Sequence, residues 1–190
     1  MGKRARGKFS VFSLKYQIEG GPELRAELEW SSVPHKIVFV CSANMCRSPM
    51  AHAILEAEAS RRGLAIIVGS AGIWDFEGEL AAMDARVTCE NHHTPMPKLL
   101  STYLANLELN DATRIFVMER AHLEEVLAKT AVPPERVNLL GEFDPEEGEK
   151  EIEDPIGQDL AAFSACYERL RNCILHYLDT TADFNPLMPK

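Results

Sequence analysis

Two cysteines, Cys41 and Cys46, lie in a polar stretch between an apolar run and a helical-looking segment, "IVFVCSANMCRSPMAHAIL" (37–55). Such a pair could be a disulfide, half of a metal site, a redox couple, or a nucleophile with its neighbour. The stretch opens with Cys41 and closes with Arg47 and Ser48, giving the pattern Cys, five residues, Arg, Ser. A strand, a polar loop and a helix in that order form a phosphate-binding geometry. Loop N–H groups, here from Ser42, Ala43, Asn44, Met45 and Cys46, can converge on an anion, and the helix's positive end adds to them. Arg47 and those amides stabilise a thiolate at Cys41. A thiolate beneath a bound phosphate is placed for in-line attack on phosphorus, giving a phosphocysteine. Arg47 can hold two equatorial oxygens as charge shifts in the transition state. Ser48 can hydrogen-bond the sulfur and make it a better leaving group in the second step. Asn44 is a residue type that tolerates the positive φ a tightly curled loop needs.

The other uses of the cysteines find less support. No second Cys or His pair has zinc-ligand spacing, and "NHH" (91–93) reads as a solvated helix end. A disulfide from Cys41 to Cys46 would close one short loop and constrain little. Breaking a phosphate ester at neutral pH also needs an acid for the departing oxygen and then a base for water. "EIEDPIGQDL" (151–160) offers Asp154, in a turn fixed by Pro155 and Gly157. Crowding by Glu151, Glu153 and the substrate's own charge favours the protonated carboxyl that an acid requires. In isolation the same residues read as a Pro-Gly turn with an N-capping aspartate. A phosphate loop upstream favours the acid.

These residues need a frame to hold them. "KIVFV" (36–40), "AIIVG" (65–69), "RIFVM" (114–118) and "RVNLL" (136–140) read as strands buried on both faces. "SPMAHAILEAEASRRG" (48–63) reads as a helix, started by Ser48 and Pro49 and stopped by Arg61, Arg62 and Gly63. A second helix falls around "AHLEEVLAKT", and the last runs from about Asp159 to about Leu178. Its apolar face carries Phe163, Cys166, Tyr167, Leu170, Cys173, Ile174 and Tyr177. The alternation predicts an α/β fold: a three-layer, four-stranded parallel twisted sheet with helices on both faces and the phosphate loop after the first strand. Ligands in such sheets bind beyond the carboxyl ends of the strands, where Cys41 stands. Residues 1–34 read as an extension of unassigned role, 35–182 as the domain, and 183–190 as a tail. Residues 144–154, "DPEEGEKEIED", read as an exposed acidic loop.

Composition bounds the class. The chain has 190 residues, of which 46% are hydrophobic and 26% charged, as in a soluble globular domain. No run approaches a membrane span, and the basic N-terminus lacks the apolar core of a secretory signal. A net charge of -9 argues against general nucleic-acid binding. Five scattered cysteines suit reduced thiols in a cytoplasmic protein better than a disulfide scaffold.

"VCSANMCRSPMA" with "DPIG" before the last helix resembles the low-molecular-weight protein tyrosine phosphatase family. The similarity extends over about 36–180 through "SAG" (70–72), "DAR" (84–86), "VMERAHL" (117–123) and "LLGEF" (139–143). The resemblance implies Cys41 as nucleophile, Arg47 as phosphate clamp, Asn44 and Ser48 as loop supports, and Asp154 as general acid and then base. It also implies that Ser70 supports the loop asparagine, that Cys46 can pair with an oxidised Cys41 and protect it, and that a phosphorylated protein is the substrate. No metal or cofactor is implied. Three features depart from the pattern. Ile156 and Gly157 stand where an aromatic wall often follows the Asp-Pro pair, leaving Trp74 and Phe76 to line the pocket. "HTPMPKLLSTYL" replaces the usual histidine and arginine between the second and third strands. The N-terminal extension has no counterpart.

Arsenate reductases of this fold carry further cysteines after the third strand; "VMERAHLEEVL" has none, and Asp154 has no place in their mechanism. Protein-arginine phosphatases tend to place threonine just before the second loop cysteine. Met45 at that position favours an aryl phosphate, and the thin aromatic wall keeps arginine phosphatase as the alternative. An inactive phosphate-binding regulator would be expected to lack Cys, Arg or Asp, and all three are present.

Overall fold

The computed structural model describes residues 34–146, 148–182 and 184. The extension read over residues 1–34 lies outside them, except for its last residue, as does nearly all of the tail. Four parallel strands form one sheet: β1 (His35–Cys41), β2 (Ile66–Gly72), β3 (Arg114–Val117) and β4 (Val137–Leu139), in the order β2-β1-β3-β4. Helices α1 (Arg47–Arg62), α2 (Met83–Asn91), α3 (Arg120–Lys129) and α4 (Leu160–Thr180) connect or cover them. Each strand read from the sequence is present, within three residues at either end.

β1 lies at the centre because it is apolar on both faces. Ile37, Phe39 and Cys41 face a cluster with Met50, Ile54 and Leu55 of α1 and Phe163, Tyr167, Leu170 and Ile174 of α4. Val38 and Val40 face the opposite cluster, with Val117, Leu139 and Val126 of α3. This two-sided burial is why the strand reads as an unbroken apolar run. Phe116 of β3 continues the first layer in an edge-on aromatic group with Phe143 and Tyr177. All seven residues read as the apolar face of α4 are buried. Asp159 caps that helix through a hydrogen bond from the Ala162 N–H at 3.0 Å. Gly63 ends α1 in the left-handed conformation that a residue with a Cβ resists.

Two expectations change in part. Asn91 and His93 are exposed at the end of α2, as read, but His92 between them is half-buried: its ring stacks on Tyr167 at 4.2 Å and bonds Ser164 at 2.9 Å. The acidic segment 144–154 exposes several carboxylates, yet its backbone is anchored. Ile152 is buried and its N–H donates to the Met118 carbonyl at 2.8 Å, while Arg169 of α4 bonds Asp144 and the carbonyls of Glu149 and Glu151. Alternating Glu residues mask this in the sequence, where one isoleucine carries the packing.

Candidate active site

Cys41 ends β1, and residues 42–46 curl over the carboxyl edge of the sheet into α1. Asn44 takes φ 57°, the left-handed turn its residue type allows. The outer face of the loop is sewn to its neighbours through carbonyl oxygens. Cys41 and Ser42 accept from the N–H groups of Ile73 and Trp74 at 3.0 and 2.9 Å, and Met45 accepts from Ala82 at 2.9 Å. The N–H groups of Ala43, Asn44, Met45 and Cys46 donate to no protein acceptor among the described residues. Gly72 explains how β2 can approach so closely: a Cβ there would lie 2.8 Å from the Ala43 carbonyl carbon and from the Ser42 carbonyl oxygen. A conformation with outward carbonyls and unpaired amides is an anion-binding nest.

Cys41 is buried, with its Sγ 3.0 Å from Ser48 Oγ. Ser48 Oγ accepts from Asn44 Nδ2 at 2.8 Å and is in donor range of the Ala71 carbonyl at 3.4 Å, with Cys41 Sγ nearer. Asn44 completes its amide through Oδ1, which accepts from the Thr102 N–H at 3.0 Å. Ser70, expected to support this asparagine, is not among its hydrogen-bond partners. It stands in β2 opposite Phe39, and Ser48 and Thr102 hold the amide instead.

Arg47 is 1% exposed and surrounded by acceptors. Nη1 donates to Glu119 and, at 2.8 Å, to the Ile152 carbonyl; Nη2 donates to Asp154 Oδ2 at 2.6 Å and to Ser42 Oγ at 3.2 Å. Burial disfavours the guanidinium's charge, but Cys41, Glu119 and Asp154 outweigh it and hold Arg47 above its ordinary range. Its Nε is buried without a protein partner among the described residues. Arg47 and Asp154 are thus brought together across 107 positions of sequence. The charge in contact with Asp154 is this cation, not the expected carboxylates: Glu151 is turned to the Arg120 N–H at 2.8 Å, and Glu153 is exposed.

Cys46, the second loop thiol, is also buried. Burial, then the charges of Asp154 and Cys41, push its thiol up to about 12, so it is a neutral thiol at neutral pH. All five cysteines are free thiols. Met45 is partly buried against the α1–α4 core, while Trp74, Phe76 and Ile156 are exposed, at 61%, 41% and 57%. Trp74 is tied to the loop through its N–H, and the Ile156 N–H donates to Asp154 Oδ1 at 3.2 Å.

Glu119 and His122 are site residues that the sequence reading did not single out. Glu119 follows β3 and pairs with Arg47; His122, in the first turn of α3, is buried and bonds Ser42 Oγ at 3.0 Å. The available signal was position, because Glu119 lies just past the carboxyl end of a parallel strand, where ligands bind.

A cysteine set in an anion nest, an arginine at its end and an aspartate on that arginine define a phosphate-handling thiol site on a doubly wound sheet. Residues 36–183 match the family model for low molecular weight phosphotyrosine protein phosphatases, and the chain belongs to that family. It is accordingly a cysteine-dependent protein phosphatase of low molecular weight. It is 30% identical to the probable low molecular weight protein-tyrosine-phosphatase EpsP of Ralstonia nicotianae, covering 71% of this chain and 88% of that protein. It is 27% identical to a protein-arginine-phosphatase of Geobacillus stearothermophilus, covering 75% and 93%. Among solved structures, the low molecular weight protein tyrosine phosphatase of T. tengcongensis superposes with a TM-score of 0.71 at 25% identity, covering 77% of this chain and 99% of that one.

Proposed function

We propose that the protein hydrolyses phosphotyrosine in protein substrates through a phosphocysteine at Cys41. The observation that carries the reading is the set of unpaired donors, the loop N–H groups and Arg47 Nε, in the one loop that begins at Cys41. A phosphate dianion there satisfies these donors and lies above the sulfur for in-line attack. As the sulfur–phosphorus bond forms, the bond to the tyrosine oxygen breaks, and Asp154 gives its proton to that oxygen. In the second step Asp154 takes a proton from water, water attacks phosphorus, and the thiolate leaves with Ser48 O–H donating to it.

Asp154 accepts a salt bridge from Arg47 Nη2. An arriving phosphate exchanges with the carboxylate on that nitrogen, which frees Asp154 to reach the departing oxygen. The exposed Trp74, Phe76 and Ile156 are the apolar side chains this reading assigns to the aryl group. Phosphoarginine is the second reading, favoured by the similarity to an arginine phosphatase. A side-by-side assay of otherwise identical phosphotyrosine and phosphoarginine peptides tests the choice. The higher kcat/KM is expected for phosphotyrosine; a clear preference for phosphoarginine would reverse it.

A further inference from the structure

Ser42 and His122 form a hydrogen-bonded pair beside the phosphate loop, and the protons in it can be assigned. The Glu119 backbone N–H can only donate, and its acceptor is His122 Nδ1, at 3.1 Å. In the neutral ring the proton therefore sits on Nε2, which donates to Ser42 Oγ at 3.0 Å. The ring is 2% exposed, and burial together with the Arg47 charge pushes His122 down, so the neutral form prevails. Glu119, Asp154 and Glu151 are the carboxylates facing the ring and oppose that shift without reversing it.

Ser42 Oγ also accepts from Arg47 Nη2 at 3.2 Å. A hydroxyl has two lone pairs and one proton. With both lone pairs occupied by N–H donors, the oxygen can act toward a third group only by giving its proton. The same Nη2 donates to Asp154, so an anion that replaces the Asp154 carboxylate there arrives next to the Ser42 hydroxyl. A serine without the histidine could turn its proton back toward a protein acceptor or a water.

We propose that Ser42 is a phosphate-binding residue whose hydroxyl donates to a non-bridging oxygen, and that His122 is the positioning residue that fixes the direction of that hydrogen bond. The proposal rests on the phosphate-loop reading above. His122 would otherwise be a helix-capping side chain only, and the two roles separate by chemistry. His122→Asn keeps an acceptor near the Nδ1 position for the Glu119 N–H but removes the donor to Ser42. His122→Gln places an amide donor near the Nε2 position.

The test measures inorganic phosphate as a competitive inhibitor of aryl-phosphate hydrolysis, with thermal melting alongside. Ser42→Ala should weaken phosphate inhibition about tenfold, as expected for one hydrogen bond to a charged group. His122→Asn should weaken it several-fold with a melting temperature close to the parent's. His122→Gln should restore most of that loss. Adding His122→Asn to Ser42→Ala should weaken inhibition no further, because the histidine acts through the hydroxyl. Unchanged inhibition in Ser42→Ala would overturn the proposal, whatever the histidine variants do. So would fully additive losses in the double variant. Failure of the phosphate-loop reading looks different: the parent itself would show no competitive inhibition by phosphate.

Discussion

At the residue scale, two thiols and one carboxylate have distinct partners. Cys41 Sγ has the Ser48 hydroxyl as a partner, and Cys46 is held as a neutral thiol by burial and neighbouring negative charge that outweigh Arg47. Asp154 begins on Arg47 and must leave it to act as an acid. Removing its proton should therefore matter most where the leaving group most needs one. With Asp154→Asn, kcat for phenyl phosphate should fall by about 10²–10⁴-fold, the usual size of a general-acid contribution. Hydrolysis of a nitrophenyl phosphate, whose leaving group is stable as an anion, should fall far less. Equal losses for both would remove Asp154 from the acid role. Cys41, Arg47 and Asp154 were legible in the sequence because each sits in a compact local pattern. Glu119, His122 and Thr102 were not, because no local pattern marks them and only the folded sheet brings them to the loop.

At the element scale, the loop is shaped as much by what lies behind it as by its own residues. β2 ends against it at Gly72, where a side chain would meet loop backbone rather than a yielding side-chain tip. Gly72→Ala should therefore displace the nest while leaving the strand paired. A shift on the order of 1 Å can cost about 10²-fold in kcat/KM, and that is the loss expected, with a folded protein by circular dichroism. Activity within a few-fold of the parent would show that the loop tolerates the displacement. The strands and the last helix could be read from the chain because periods of 2 and 3.6 are local signals. The anchoring of segment 144–154 could not. It depends on Arg169 of α4 reaching back to carbonyl oxygens of Glu149 and Glu151, and composition alone suggested a free acidic loop. Ser70 is the converse case, a position carried over by resemblance whose expected partner is bonded by others.

At the scale of the whole molecule, the fold shelters histidines that acid can attack. His52 of α1 is 8% exposed, its Nδ1 has no partner among the described residues, and burial lowers it from 6.5 to about 4. The unfolded chain takes up this proton near pH 6.5 and the folded chain only near pH 4. Its contribution to stability is therefore full above pH 6.5 and is lost as pH falls toward 4, by up to about 3 kcal/mol. Urea unfolding at a series of pH values should show that decline, and His52→Gln should flatten it; an unchanged slope in the variant would place the acid sensitivity elsewhere. The molecule as a whole exists to hold one sulfur beneath one phosphate, and that claim is open to direct observation. The enzyme is mixed with an aryl phosphate, quenched within a single turnover, digested and analysed by mass spectrometry. The account predicts one phosphoryl group on the peptide that contains Cys41, absent from Cys41→Ala, with Asp154→Asn accumulating more of it if its second step is slowed more than its first. Turnover without a phosphoryl group on Cys41, or with the group on another side chain, would contradict it.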